Sequence, residues 1–140
     1  MKSNELLEEI KNNLSEIKVK TPDKENLDEI NYKISNYNYI TYNEIFNKNL
    51  EKIENIDETK LDDLKNKIED YFKKYPIKDK KFIVFTKYIC VYLSFISKKP
   101  FHPEGLKFSD NSSVFKKNNK YICSLKDKNS LCKYCVAIDL

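Results

Sequence analysis

Arginine is absent from this chain of 140 residues, and glycine and histidine occur once each. Each shortage excludes a class of function. Phosphate-cradling loops and dinucleotide fingerprints need several glycines, so one glycine rules them out. The single histidine, with no H-E-x-x-H or E-x-x-H around it, removes the usual catalytic zinc and di-iron helices. Without arginine there are no bidentate contacts to phosphate or guanine. No long hydrophobic run occurs either. The longest, Phe82 to Ser97, is 16 residues with Lys87 inside it, too short and too polar for a bilayer. Met1-Lys2-Ser3-Asn4-Glu5 leads straight into an acidic amphipathic segment, so we expect no signal peptide and no membrane partner. The expected location is a reducing cytoplasm, where clustered cysteines bind metal or do chemistry more often than they form disulfides.

What is present reads as globular. Charged residues make up 34% and aromatics 13%, and the apolar positions are regularly spaced, unlike those of a disordered chain. The length suits one domain, residues 1–140, with a helical body (1–98) and a C-terminal hook (99–140), enough to bury roughly two-thirds of the unfolded surface. All 26 basic residues are lysine. Together with heavy use of Asn, Ile and Tyr, this reads as an AT-rich genome and weakens any functional reading of the lysine count. The net charge of +4 is uneven: nine Lys against four acids from Lys98 onward, 17 against 18 before it.

The body reads as five helices. Leu6, Leu7, Ile10, Leu14 and Ile17 form the first stripe, with Glu5, Glu8 and Glu9 near its positive end. Thr21-Pro22 suggests an N-cap and first turn for a second helix, striped by Leu27, Ile30, Ile34 and Tyr37. Asn36-Tyr37-Asn38 should interrupt it. Thr41-Tyr42-Asn43-Glu44 has the form of a capping box for a third helix continuing through Ile45, Phe46, Leu50, Ile53 and Ile56. The fourth carries Leu61, Leu64, Ile68, Tyr71, Phe72 and Tyr75 and stops at Pro76. The fifth, roughly 80 to 98 and capped by Asp79, is apolar almost all round, which predicts a helix buried at the centre of the bundle.

After Pro100 the periodicity changes. Val114–Lys117 and Lys120–Cys123 flank Asn118-Asn119, a pair that tolerates positive φ and suits a two-residue hairpin turn. Asn129 or Ser130 could cap a short final helix placing Cys132 and Cys135 on one face. The expected fold is therefore mainly α, with a small C-terminal β-hairpin and a Cys-rich hook.

The chemistry gathers in that hook as His102-x20-Cys123-x8-Cys132-x2-Cys135. Three thiolates and an imidazole are a common structural zinc set. Pro103 restricts His102 to extended backbone, Gly105 permits a sharp turn, and the surrounding lysines favour deprotonated sulfurs. Several readings stay open beside zinc on His102, Cys123, Cys132 and Cys135. The cysteines could be small buried residues, with His102 a satisfied histidine. An iron–sulfur cluster would need a fourth cysteine, and Cys90, on the fifth helix, is read as packing. A Cys132 or Cys135 nucleophile with His102 as base finds no further support, and no reaction follows from these residues. The basic tail interleaves Phe108, Phe115, Tyr121 and Tyr134 with its lysines, which makes a nucleic-acid surface an alternative. A non-catalytic, zinc-stabilised module with a protein partner is the preferred reading. An enzyme or redox protein using the same thiols is its rival.

The runs Tyr92–Gly105, Lys120–Lys128 and Leu131–Ala137 resemble an uncharacterised archaeal family found chiefly in methanogens, domain of unknown function 2115 (uncharacterised protein family 0305). That family's pattern ends a helix in Lys-Lys-Pro, continues His-Pro-x-Gly, and closes with Tyr-x-Cys-Pro-x-Lys and Cys-x-x-Cys-x-Ala. His102, Cys123, Cys132 and Cys135 fall on matching positions. The chain departs from it at Ser109-Asp110-Asn111, where Pro-Gly-Gly is expected, and at Ser124, where proline is. The resemblance implies an archaeal cytoplasm and brings no activity.

Overall fold

The computed structural model describes residues 1–108, 113–126 and 130–138. Its helices begin where carboxylates can take the first unpaired amides. In α1 (Ser3–Leu14) the Glu5 side chain accepts from the Lys2 amide at 2.9 Å. In α2 (Glu29–Asn47) Asp28 accepts from the Asn31 amide at 2.8 Å. Asp57 caps α3 (Glu58–Lys74) through the Lys60 amide at 3.2 Å. Asp79 caps α4 (Lys80–Tyr92) through the Lys81 amide at 3.0 Å.

There are thus four α-helices among the described residues, not five. The expected second and third helices are one, because α2 runs straight through both the expected interruption at Asn36-Tyr37-Asn38 and the expected cap at Thr41, and it starts well after Thr21. Thr21 reaches the Tyr39 hydroxyl instead of opening a helix. The Thr41 hydroxyl, expected to cap a new helix, donates back to the Tyr37 carbonyl at 2.8 Å, a bond that a helix interior accommodates. Leu50, Ile53 and Ile56 then fall beyond α2, in the segment leading to α3, where Ile53 is 58% exposed. That segment pairs with the chain start: the Ser3 amide donates to the Glu54 carbonyl and the Ile56 amide to that of Met1, at 2.8 and 2.9 Å.

Leu6, Ile10 and Leu14 of α1 meet Ile45 of α2, Leu61, Leu64 and Ile68 of α3, and Ile89 and Tyr92 of α4, all nearly inaccessible. Each such side chain contributes roughly 1.5–3 kcal/mol relative to exposure. α4 packs against α1, α2 and α3, but it is not the wholly buried centre that its composition suggests. Phe85, Ile89, Val91 and Tyr92 are buried, whereas Phe82 is 49% exposed. Part of its apolar surface faces a cavity instead of another helix.

Beyond Tyr92 the helix widens into a π-helical turn, Leu93–Ser97, and stops at Lys98 in the left-handed region (φ 57°). The hairpin forms as expected. β1 (Val114–Lys117) and β2 (Lys120–Cys123) pair antiparallel, with Val114 opposite Cys123 and Lys117 opposite Lys120. Asn118 and Asn119 take φ of 51° and 63°, as a type I′ turn requires. Gly105 (φ 88°) turns the chain onto the hairpin, its amide donating to the Val114 carbonyl at 2.8 Å. A 3₁₀ turn, Ser130–Tyr134, replaces the expected final helix. Of the two proposed caps, Ser130 opens that turn and Asn129 lies outside the described residues, as does Ser109-Asp110-Asn111. Among the described residues no helix is long and apolar enough to cross a membrane.

Candidate functional site

The hook closes over the helices without sealing against them. Between them lies a cavity of about 560 Å³. α2 contributes Ile34 and Asn38 to its wall, α3 contributes Ile68, Tyr71 and Phe72, and α4 contributes Phe82, Thr86, Ile89 and Cys90. Phe101, His102, Val114, Cys123, Cys132 and Cys135 form the roof. The four residues singled out from the sequence, drawn from three separate stretches of chain, therefore line one space. So does Cys90, which the sequence assigned to packing.

Hydrogen bonds hold the roof in place. The Cys123 amide donates to the Ile138 carbonyl at 2.9 Å and the Ile138 amide to that of Tyr121 at 3.0 Å, tying the last residues to β2. The Cys135 amide donates to the Cys132 carbonyl at 3.1 Å, closing the Cys-x-x-Cys turn. Lys126 donates from Nζ to the Cys135 carbonyl at 2.7 Å and also to that of Cys132. Side-chain hydrogen bonds attach the roof to the helical body. The Ser94 hydroxyl donates to the Tyr134 carbonyl at 2.6 Å, the Tyr37 phenol donates to the Pro100 carbonyl at 2.6 Å, and the Tyr134 phenol bonds Asp63 of α3.

The electrostatics follow from burial. His102 stacks edge-on against Phe108, with ring centroids 5.5 Å apart. Burial holds its pKa below the ordinary imidazole value and favours the neutral ring. Burial also pushes the Cys90 thiol up to about 12, and the neighbouring Cys135 adds to that. Cys135 itself accepts the Phe101 amide at 3.3 Å through its sulfur. Tyr37 is raised by burial first, with Tyr121, Cys135 and Glu44 contributing. As a donor set, neutral imidazole and cysteine sulfur suit zinc. Among the described residues, however, no three His, Cys, Asp or Glu side chains are gathered tightly enough to hold an ion.

Several lysines of the basic tail have partners within the chain. Lys126 serves the two carbonyls above, Lys116 lies 5.3 Å from the centre of the Tyr121 ring, and Lys133 sits over Tyr134 and 3.4 Å from Asp63.

The family DUF2115, described as an uncharacterised protein conserved in archaea, matches residues 3–140. The chain belongs to it. A relative, UPF0305 protein MJ0646 of Methanocaldococcus jannaschii, is 45% identical over 102 residues, which is 69% of this chain and 62% of that protein. A UPF0305 protein of Methanothermobacter thermautotrophicus is 34% identical over 55 residues, 36% of this chain and 34% of that one. UPF0305 protein MmarC5_0909 of Methanococcus maripaludis is 32% identical over 59 residues, 39% and 36% respectively. The chain thus spans at most 62% of the length of these relatives. No solved structure matches. Neither the description of DUF2115 nor these names carries an activity. Cys90 packs against the helical core, as expected, and also lines the cavity, which sequence reasoning did not foresee. Its only signal is position: it lies one residue after the buried Ile89, on the edge of the stripe that faces the hook.

Proposed function

We propose that this chain is a non-catalytic binding module whose hook is held by one zinc ion on His102, Cys123, Cys132 and Cys135. The observation that carries this reading is their common position on the roof of one cavity. Bringing them onto an ion needs their side chains to turn inward. The backbone bonds around Cys123, Cys132 and Cys135 keep the supporting segments together while that happens. Zinc would tie the hairpin, the Cys-x-x-Cys turn and the His102 loop into one unit, supplying stability that so short a hairpin lacks. The location we propose is cytoplasmic, where thiols stay reduced.

Metal analysis of anaerobically purified protein tests it. About one zinc per chain is expected, lost in Cys132→Ser and kept in Cys90→Ser. Equal zinc content in the two variants overturns the ligand assignment, and iron with sulfide replaces zinc by a cluster.

One observation favours a second reading, a reactive thiol or open metal site. The cavity that these sulfurs line has half-exposed residues at its edge, Tyr75 and Phe82, so a small molecule could reach them. Alkylation of the metal-loaded protein separates the two. Slow modification of all four cysteines supports a closed site, and rapid modification of one supports the open site.

A further inference from the structure

We infer that the cavity under the hook is a binding site for a largely apolar, uncharged small molecule, entered past Tyr75, Ile77 and Phe82. This rests on the reading of the chain as a binding module and names the class of ligand.

Size is the first argument. About 560 Å³ falls inside the range of roughly 300–1,000 Å³ typical of small-molecule sites. Lining chemistry is the second. Ile34, Ile68, Phe72, Ile89 and Phe101 supply the apolar walls, which make the non-directional part of such a site.

Charge is the third. Among the described lining residues there is no carboxylate to pair a cation. Lys126 is the one lysine among the described lining residues, and its Nζ already serves the Cys132 and Cys135 carbonyls. Recruiting it for an anion would release the turn that it pins. Neither sign of charge is met without breaking existing bonds, which leaves a neutral occupant. Asn38 and Thr86 remain as polar points able to orient it.

The entrance is the fourth argument. Tyr75, Phe82 and Ile77 are 53%, 49% and 39% exposed and also belong to the cavity lining, which makes them the natural way in from solvent. Tyr71 stands 5.0 Å from Tyr75 and 5.3 Å from Phe72, and Phe72 stands 6.3 Å from Phe82, centroid to centroid. A linked aromatic rim, half-buried at Tyr71 and Phe72 and exposed at Tyr75 and Phe82, beside an apolar chamber is the kind of patch that marks a recognition site.

The test uses N-phenyl-1-naphthylamine, a neutral apolar fluorophore, titrated into the full chain, with metal content measured on the same sample. The expected result is saturable enhancement at one probe per chain. Thr86→Phe, which fills the chamber, should weaken it by about tenfold or more. Phe82→Ser at the rim should weaken it less, and Ile53→Ser, exposed and outside the lining, should leave it unchanged. Circular dichroism of each variant shows whether it is folded. Should Thr86→Phe fail to fold, the Phe82→Ser comparison with Ile53→Ser decides. Non-saturable binding, or equal binding by Phe82→Ser and Ile53→Ser, overturns the inference. Saturable binding to a sample without zinc removes the zinc proposal and leaves the cavity assignment standing. Zinc without probe binding does the reverse.

Discussion

Tyr92, inaccessible at the end of α4, donates its phenol to Glu44 of α2 at 2.6 Å. Lys99 approaches the other carboxylate oxygen at 3.3 Å. Burial works against the Glu44 charge, but the Tyr92 hydrogen bond and the Lys99 charge outweigh it and hold the carboxyl below its usual range. A carboxylate with a lowered folded pKa adds stability that is present above its unfolded value, near 4.3, and is lost as pH falls through the folded value. Tyr92→Phe should therefore cost about 1 kcal/mol at pH 7 and make the loss of stability below about pH 5 shallower. Thermal melts of both proteins from pH 3 to 7 check this. Parallel acid limbs would assign the acid sensitivity to other groups.

Tyr134 and Asp63 should govern how firmly the hook sits on α3. The phenol bonds the carboxylate, and this bond is the main reason that Asp63 lies below its ordinary pKa. Tyr134→Phe should raise hydrogen exchange in residues 130–138 and leave Leu6–Leu14 of α1 unchanged. Uniform acceleration would mean that the hook and body open together.

Lys98 is held at φ 57° with a β-carbon that disfavours that region. Lys98→Gly should raise stability by about 0.5–1 kcal/mol, read from chemical denaturation. Asn119→Gly should act likewise in the hairpin turn, where φ is 63°. A loss in either variant would show that the side chain matters more than the backbone.

Asn36 sits inside α2, where alanine is the better residue. Asn36→Ala should then gain about 0.5 kcal/mol. A drop would point to a real interruption there.

That last case shows why the sequence was legible in some places and not in others. Leu6, Ile10 and Leu14, then Leu61, Leu64 and Ile68, mark buried stripes whose spacing no other structure satisfies, and Asp79 and Asn118-Asn119 are local signals that need no tertiary context. The join between the expected second and third helices depends on more than local signals. Asn36 and Asn38 favour turns, and Thr41 favours caps, only while nothing holds the backbone helical. Tyr37 bonded to Pro100, and Glu44 bonded to Tyr92 and Lys99, hold α2 from outside across 48 residues or more of chain. His102, Cys123, Cys132 and Cys135 border one cavity because all four belong to the short tail, without forming an ion-sized cluster among the described residues. The cavity itself was not legible, since its walls come from three helices and its existence is a gap between surfaces. Cys90 joins the site only through that gap.

The π-helical turn at Leu93–Ser97 also sets a rotation. A π turn seats one residue more than an α turn, and one residue of α-helix is worth about 100° around the axis. Removing a single residue there would return the segment to α phase and swing everything after it by about that angle. The Ser94 hydroxyl would lose the Tyr134 carbonyl, the Pro100 carbonyl would leave Tyr37, and His102 would point elsewhere. The helical body, with its core formed by earlier residues, would survive the deletion. The chamber and its sulfur-lined roof are thus encoded as an angular offset, one that a change of composition could leave untouched and a change of length by one residue would erase.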